Sequence, residues 1–147
     1  MQNLIINIDG GSRGNPGPSA IGVVFSDEDG RIIKKYFQYL GEGTNNEAEY
    51  QALIFALKKA KSLFGKEKAV KMEIEIKSDS ELLVKQMNGE YKIKNPNIQK
   101  LFLEAWNLKV EFKNLKFSLV PREKNSIADN LVNQALNKEA AQKKLFY

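Results

Sequence analysis

The segment 70–77 alternates strictly between apolar and charged residues, which is typical of a β-strand with one buried face. An amphipathic helical pattern precedes it, and further helical patterns separate it from the last apolar run at 115–120. Strands that are joined through helices run parallel, by right-handed crossovers. The chain is therefore expected to fold as an α/β protein whose sheet contains parallel strands.

The N-terminal third of the chain predicts three strands without intervening helices. They cover residues 3–9, 19–26 and 31–40, and the turn signal Asp27–Gly30 joins the last two. Helices are predicted at about 45–63, at 80–88, from Pro96 onwards and at 126–140. The order β-β-β-α-β-α-α-β-α indicates a mixed five-stranded sheet, with three antiparallel strands plus two parallel ones and helices packed on it.

Length and composition exclude several classes of protein. The 147 residues favour one domain spanning 1–147, with no membrane span and no secretion signal, so a cytoplasmic location is the default. Cysteine and histidine are absent, which excludes the usual zinc sites and the Ser-His-Asp and Cys-His nucleophile arrangements. Lys and Arg outnumber Asp and Glu by 23 to 18, and the resulting charge of +5 suits either a polyanionic partner or a lysine-rich surface.

Four acidic residues lie inside short polar motifs: Asp9, Glu49, Asp79 and Asp129. Asp9 and Asp79 each follow an apolar strand, and ligands in sheet folds gather at the carboxyl ends of strands. Glu49 and Asp129 lie at helix starts that can face the same place. Together, the four would form an oxygen-only site for hard divalent cations. In a basic protein, such a site is a candidate for phosphodiester chemistry.

The helical phase of Glu49 favours a functional role. At about 100° per residue, Glu49 lies within roughly 40° of Leu53, at the N-terminal end of the buried stripe. Glu47 points to the opposite side and forms a capping-box pattern with Thr44. A carboxylate that points towards the core needs a partner, because an unpaired buried charge is very costly. The alternative, a dipole-stabilised acid in the first helical turn, explains Glu47 well and Glu49 poorly.

The other three acids each fit a plain structural role when taken alone. Asp9 is followed by a glycine, and Asp-Gly is a common pair in turns. Asp79 and Asp129 lie in serine-led patterns, starting at Ser78 and Ser126, that fit helix caps. For these three acids, only the joint pattern with Glu49 favours a functional site.

Four motifs follow one another along the chain: Asp9-Gly-Gly-Ser-Arg-Gly-Asn-Pro-Gly17, Thr44-Asn-Asn-Glu-Ala-Glu49, Ser78-Asp-Ser80 and Asn125-x-x-Ala-Asp129. With these motifs, the chain resembles the type 1 ribonuclease H family. The resemblance covers essentially the whole chain. Each motif is weak evidence alone, but four in register are highly specific.

The resemblance implies an endonuclease that hydrolyses the RNA strand of RNA–DNA hybrids, with Mg²⁺ or Mn²⁺ as cofactor. Asp9, Glu49, Asp79 and Asp129 match the family's catalytic, metal-binding carboxylates. Two ions about 3.5–4 Å apart would activate water for in-line attack and stabilise the leaving 3′-oxygen. The products would carry 5′-phosphate and 3′-hydroxyl ends.

Further residues match family positions that bind substrate. Asn15 and Asn46, assisted by Glu81, match residues that read the minor groove of the hybrid. The 2′-hydroxyl group distinguishes the RNA strand there.

Binding of the DNA strand is implied by a second set of matches. Thr44 and Asn45 match residues that hold a DNA phosphate, although Thr44 also fits a plain N-cap. Gly10 would let the backbone approach the duplex closely.

Two family features are missing from the sequence. Many bacterial members carry a histidine in the loop before the last helix, and here that loop reads Val120-Pro-Arg-Glu-Lys-Asn125. Arg122 is the best candidate to replace it, as an accessory group that neutralises phosphate or helps product release, because arginine stays protonated and cannot act as a base. Many members also carry a long basic handle, of which Lys92 and Lys94 are at most a remnant.

Two apolar features lie outside these motifs. Trp106 shares its helical spacing with Leu101 and Phe102, which favours a core position over base stacking. The tail 141–147 ends in Leu145 and two aromatic residues, which suit docking on the body or contact with a partner.

Two other functions remain open at this stage. A non-catalytic nucleic-acid-binding module could use the same fold, although four clustered acids repel a polyanion unless cations bind. A nuclease of this fold could instead act on double-stranded RNA or branched DNA. The chain is expected to be a monomer, with no implied protein partner and no membrane association.

Overall fold

The structure, a computed structural model, describes residues 3–146. The strands in this part of the chain are β1 (Asn3–Ser12), β2 (Gly17–Asp27), β3 (Ile32–Gly43), β4 (Glu73–Ser78) and β5 (Asn114–Leu119). The α-helices are α1 (Asn45–Phe64), α2 (Lys66–Ala69), α3 (Glu81–Met87), α4 (Pro96–Lys109) and α5 (Ser126–Phe146). A 3₁₀ turn at Arg122–Asn125 leads into α5.

The strands form one sheet in the order β3-β2-β1-β4-β5. β1 and β3 run antiparallel to β2, while β4 runs parallel to β1 and to β5. This topology confirms the predicted mixed sheet of three antiparallel strands plus two parallel ones. It follows from chain order, because α1 connects β3 to β4 and the pair α3 and α4 connects β4 to β5.

The two longest helices cover opposite faces of the sheet. On one face, Leu4, Ile6 and Ile8 of β1 are fully buried together with the apolar stripe of α1. On the other face, a smaller cluster joins β2 to α5: Ala20, Val132, Ala135 and Leu136. The starts of α1 and α5 can therefore reach the same end of the central strands from the two faces of the sheet.

Several strand boundaries differ from the sequence prediction, and β3 for example ends at Gly43 rather than at residue 40. β4 begins at Glu73 rather than at residue 70, because the N–H groups of Lys71 and Met72 bond to carbonyls of residues 68 and 69 in the short helix α2. β1 continues to Ser12 rather than ending at Asp9, since its antiparallel ladder with β2 persists that far. Glycine is depleted in strands, and two glycines made this end of β1 resemble a loop in the sequence.

Helix α5 is longer than predicted and reaches Phe146, so the tail up to that residue is helical. Leu145 is 80% exposed and does not dock on the body, while Tyr147 lies outside the described residues. None of the helices in the described range combines the length and the apolar character that a membrane crossing requires.

Trp106 is not a core residue, so the sequence prediction was wrong. Its side chain is 38% exposed and stacks on Phe102, with ring centroids 5.6 Å apart. The ammonium group of Lys109 lies 4.3 Å from the centre of the Trp106 ring. The buried stripe of α4 consists of Ile98, Ala105 and Leu108, and Trp106 flanks that stripe.

Candidate active site

β1 extends beyond its parallel neighbour β4, and this overhang positions two of the four acids. The last parallel pair joins Asn7 to Lys77, and β4 ends at Ser78. Asp79 comes directly after this end, while Asp9 lies on β1 two residues past the last pair. Both carboxylates therefore lie beyond the carboxyl end of β4, where open sheets leave room for ligands.

Glu49 reaches the same place because α1 contacts β1 backbone to backbone. A Cβ atom on Gly10 would lie 2.3 Å from the carbonyl carbon of Ala48 and 2.5 Å from the backbone nitrogen of Glu49, so only glycine fits there. Glu49 is 9% exposed, whereas Glu47 closes the predicted capping box with Thr44. The contrast that helical phase predicted between the two glutamates is confirmed. Gly10 is itself buried, and its role in this structure is helix packing.

Asp129 approaches from the other face of the sheet. Gly22 is the ladder partner of Asp9, and a Cβ atom on Gly22 would lie 2.2 Å from the carbonyl oxygen of Ala128. The first turn of α5 therefore rests on β2 beside Asp9, and Asp129 is the next residue. Ser126 has helical angles (φ −62°, ψ −34°) and continues from the 3₁₀ turn, so it is not the N-cap that the sequence suggested.

The four acids line one cleft of 420 Å³. Asp9, Glu49 and Asp79 each place a carboxylate oxygen within 4.8 Å of the other two. Asp9 is 7% exposed, while Asp79 and Asp129 are partly exposed. The cluster is thus closed on the core side and open to solvent on the other.

The carboxylate of Asp79 is not used as a helix cap. The N-cap of α3 is Ser80, whose hydroxyl accepts a hydrogen bond from the backbone N–H of Leu83 at 3.2 Å. The hydroxyl of Ser78 accepts from the N–H of Ser80 at 3.1 Å. The structural alternative for Asp79 is therefore wrong, and its side chain is free to line the cleft.

Burial and mutual repulsion raise the pKa values of Asp9 and Glu49. The pKa of Asp9 rises to about 7, because burial disfavours its charge and the neighbouring charges of Asp79 and Asp129 add to the effect. Burial, followed by repulsion from Asp9, raises the pKa of Glu49 well above its ordinary value. Perturbed carboxylates in a cleft are typical of functional sites.

Asn125 is a site residue that the sequence analysis did not select. It is 1% exposed, its Nδ2 donates to the carbonyl of Ile8 at 2.8 Å, and its Oδ1 accepts from the amide of Asn7 at 3.1 Å. Burial raises the pKa of Asp79, and the Asn125 amide opposes this rise. Asn125 therefore ties β1 to the segment before α5 and stabilises the charged form of Asp79. A signal was available, because Asn125 opens the motif that ends at Asp129.

Two arginines line the acidic cleft, Arg13 and Arg122. Arg122 lies in the 3₁₀ turn, and its charge opposes the rise that burial imposes on the pKa of Asp79. Arg122 therefore lines the cleft, and its role as an accessory group stays a prediction. Arg13 lies between β1 and β2 and was not predicted, because a single charge in a glycine-rich turn carries no periodic signal.

Two of the predicted substrate-binding residues, Asn15 and Asn45, connect the β1–β2 turn to the start of α1, and a third, Thr44, lies at that start. The Asn15 Oδ1 accepts from the backbone N–H of Asn45 at 3.0 Å, and the Asn45 Oδ1 accepts from the N–H of Ser12 at 2.9 Å. Thr44 caps α1, with its hydroxyl accepting from the N–H of Glu47 at 3.2 Å. The capping alternative for Thr44 is therefore confirmed, and its hydroxyl proton stays free to donate.

The remaining two, Asn46 and Glu81, are exposed residues in the first turns of α1 and α3. Glu81 accepts a hydrogen bond from the hydroxyl of Tyr91 at 3.3 Å. Of the six predicted substrate-binding residues, Gly10 and Asn45 line the acidic cleft itself. Contact of these residues with a substrate stays a prediction.

The cleft fits a divalent cation. Its acids offer oxygen ligands only, which are the ligands that Mg²⁺ and Mn²⁺ prefer. Among the residues that the structure describes, the Glu49 Oε2 is buried without a hydrogen-bond partner. Such an atom is costly, and a cation would supply the missing partner. Asp9, Glu49 and Asp79 are therefore suited to bind a divalent metal.

Comparison with known sequences identifies relatives over most of the chain. A family model described as "Reverse transcriptase-like" matches residues 7–135. The ribonuclease HI of Halobacterium salinarum is 40% identical over 129 residues, which are 88% of this chain and 62% of that protein. The bifunctional protein Rv2228c of Mycobacterium tuberculosis is 41% identical over 138 residues, which are 93% of this chain. The match covers 36% of the mycobacterial protein, so this chain spans about a third of that relative's length.

Solved structures agree with the sequence matches. LC11-RNase H1, solved in complex with an RNA/DNA hybrid, has a TM-score of 0.89 and 49% identity over 93% of this chain and 99% of that one. RNase H1 from Halobacterium salinarum has a TM-score of 0.84 and 38% identity over 92% of this chain and 98% of that one. The fold and the acidic cleft define a ribonuclease H-like protein suited to bind divalent metal. More narrowly, the chain belongs to the type 1 ribonuclease H family.

Proposed function

We propose that the chain is an endoribonuclease that hydrolyses the RNA strand of RNA–DNA hybrids. The observation that carries the proposal is the convergence of Asp9, Glu49 and Asp79 within 4.8 Å, although burial raises the pKa of each of them. When the carboxylates are ionised, such an arrangement is unfavourable unless cations bind. The structure of LC11-RNase H1 with a hybrid supports the substrate class, because that chain has the same fold at 49% identity.

Asp9, Glu49, Asp79 and Asp129 would hold two Mg²⁺ or Mn²⁺ ions, which supply an activated water and stabilise the leaving 3′-oxygen when bound. The protein contributes positioning. The backbone contact at Gly10 fixes Glu49 beside Asp9, so the carboxylates are held in place before substrate arrives.

Charge near the cleft is also part of the proposal. The buried amide of Asn125 stabilises the charged form of Asp79, and the positive charge of Arg122 has the same effect. Arg122 would neutralise a phosphate oxygen or assist product release. Products with 5′-phosphate and 3′-hydroxyl ends are expected.

Recognition of the hybrid is assigned to the α1 start and the turn that it holds. The side-chain amide of Asn45 has its oxygen engaged by Ser12, which leaves its NH₂ group free to donate. Asn46, Asn15 and Glu81 would read the minor groove, and Thr44 with Asn45 would hold a DNA phosphate. The 2′-hydroxyl of the RNA strand is the feature that discriminates the strands.

The test is cleavage of labelled RNA–DNA hybrid, double-stranded RNA and double-stranded DNA side by side, with Mg²⁺, Mn²⁺ or EDTA. Cleavage of the RNA strand in the hybrid alone, with loss in EDTA, supports the proposal. Asp9→Asn should abolish cleavage and spare hybrid binding, while the exposed turn variant Asp29→Asn should leave cleavage unchanged. Hybrid binding without any cleavage would favour the non-catalytic module, and preferred cleavage of double-stranded RNA would favour the other nuclease class.

The setting of the activity is likewise proposed from the sequence. Residues 1–147 are expected to act as one catalytic domain and as a monomer in the cytoplasm, without a protein partner. The mycobacterial relatives are longer, so these expectations concern residues 1–147 alone.

A further inference from the structure

The chain contains three arginines, and two of them line the acidic cleft. Arg13 and Arg122 reach it from different elements, the β1–β2 turn and the 3₁₀ turn. Arg31 lies in the β2–β3 turn, at the opposite end of β2. Positive charge in the cleft is therefore carried by guanidinium groups, which suit planar, bidentate recognition of phosphate.

Arg13 is held in a defined orientation. A guanidinium N–H donates to the Oδ1 of Asn137 on α5 at 2.6 Å. The turn that carries it is closed by a bond from the Arg13 N–H to the carbonyl of Pro18 at 2.8 Å and by the bond from Asn45 to Asn15. Such preorganisation lowers the entropy cost of binding a ligand.

No carboxylate neutralises this arginine in the described structure. Within residues 3–146, every ion pair uses a lysine: Lys58, Lys61, Lys66, Lys85 and Lys116. Arg13 therefore stands at the edge of a carboxylate cluster with donor groups still available, since a guanidinium carries five N–H donors and only one bond is formed to Asn137.

The position of Arg13 separates it from the reacting centre. Asn137 follows Asp129 by eight residues on α5, so the guanidinium lies roughly 12 Å along the helix from Asp129, at about 1.5 Å per residue. Phosphates of one strand are spaced about 3.4 Å along a duplex axis, so a group at that distance addresses a phosphate other than the scissile one.

We propose that Arg13 is a substrate-binding residue that holds a backbone phosphate flanking the scissile phosphate, and that Asn137 is its positioning residue. The proposal deepens the proposed function and rests on it for the identity of the nucleic acid. Because the contact is made equally before and during reaction, it contributes to binding and not to the chemical step.

The experiment compares Arg13→Ala, Arg13→Lys and Asn137→Ala with the matched control Arg31→Ala, which removes the same charge far from the cleft. Steady-state cleavage of a labelled hybrid is measured over a range of salt concentrations. Arg13→Ala should raise KM about 3- to 10-fold and keep kcat within about twofold of the wild type. The slope of log KM against the logarithm of the salt concentration should fall by about one, because one phosphate contact is lost. Arg13→Lys should recover part of the loss.

Asn137→Ala should raise KM by less than Arg13→Ala, and the double variant should equal Arg13→Ala, because the two residues act through one contact. Equal small effects of Arg13→Ala and Arg31→Ala, or an effect of Arg13→Ala on kcat alone, would overturn the proposal.

A binding measurement distinguishes the proposed nuclease function from the proposed phosphate contact of Arg13. Fluorescence anisotropy measures binding of the same hybrid to Asp9→Asn and to the double variant Asp9→Asn, Arg13→Ala. If the wild type does not cleave but Arg13→Ala still weakens binding and lowers its salt slope, the nuclease function fails and the Arg13 contact stands. If the Asp9→Asn chain does not bind hybrid at all, the Arg13 proposal fails with it.

Discussion

Gly10 of β1 and Ala48 of α1 are in backbone contact, so close that a Cβ atom on Gly10 would lie 2.3 Å from the carbonyl carbon of Ala48. This contact places the start of α1 on the strand and brings Glu49 next to Asp9. The geometry of the acidic cleft therefore depends on the absence of a side chain at position 10.

Gly10→Ala is expected to destabilise the protein by about 2–4 kcal/mol, because the overlap involves backbone atoms that cannot rotate away. The neighbouring variant Gly11→Ala is the matched control, since its Cβ would meet Val132 at 3.6 Å, an ordinary contact. Urea unfolding followed by circular dichroism measures both. Equal stabilities of the two variants would contradict the role given to Gly10.

Much of the fold and of the carboxylate set could be predicted from the sequence. The alternation in 70–77 and the helical patterns around it determined the parallel part of the sheet, and helical phase alone separated Glu49 from Glu47. These predictions succeed because periodicity reports which side of an element is buried.

The close contacts at Gly10 and Gly22 could not be predicted in this way, because the approach of a helix to a strand is a property of tertiary packing. Asn125 and Arg13 were missed for a related reason. Each is a single polar residue whose importance comes from partners distant in sequence, such as Ile8 and Asn137. The predicted cap at Ser78 failed because Ser80 caps α3 instead, and the one at Ser126 failed because the chain there is already helical.

The same substitution should affect cleavage strongly at Glu49 and hardly at all at Glu47. Glu49→Gln is expected to lower cleavage by at least about 100-fold, since it removes a charged oxygen ligand from the buried cluster. Glu47→Gln should retain activity within about twofold, because glutamine also completes a capping box with Thr44. Initial rates on a labelled hybrid at saturating Mg²⁺ decide between them. Similar losses of activity in both variants would contradict the assignment of Glu49 to the site and of Glu47 to the helix cap.

Asn125→Ala is expected to reduce both stability and metal affinity. The buried carbonyl of Ile8 loses its donor, at a cost of about 1–3 kcal/mol. Asp79 loses a neighbour that stabilises its charged form, so the Mg²⁺ concentration for half-maximal cleavage should rise about 10- to 100-fold.

Ser19→Ala is the control for Asn125→Ala. Its hydroxyl is buried and donates to the carbonyl of Gly41 at 2.7 Å, outside the acidic cleft. It should lose a comparable amount of stability and keep its Mg²⁺ dependence. If Asn125→Ala shifts only the stability, its role is confined to holding the fold.

The raised pKa of Asp9 predicts how the metal-free protein responds to pH. Its pKa is about 7 in the folded chain against 3.8 as the ordinary value, because of burial and then repulsion from Asp79 and Asp129. Between about pH 4 and pH 7, the folded state therefore retains a proton on Asp9 that the unfolded state has already released. The contribution of Asp9 to the free energy of unfolding is fully present below about pH 4 and is lost as the pH rises through about 7.

In EDTA, the free energy of unfolding should therefore fall between about pH 4 and pH 7, on the order of 2–4 kcal/mol for Asp9. Asp9→Asn removes this titration and should flatten the profile, so that the variant is more stable than the wild type at pH 8 in EDTA. Mg²⁺ competes with protons for the same carboxylates, so the Tm increase on adding Mg²⁺ to the wild type should grow from pH 5 to pH 8. Thermal unfolding in EDTA and in Mg²⁺ at these pH values measures both effects, and a Mg²⁺ shift independent of pH would contradict metal binding by protonatable acids.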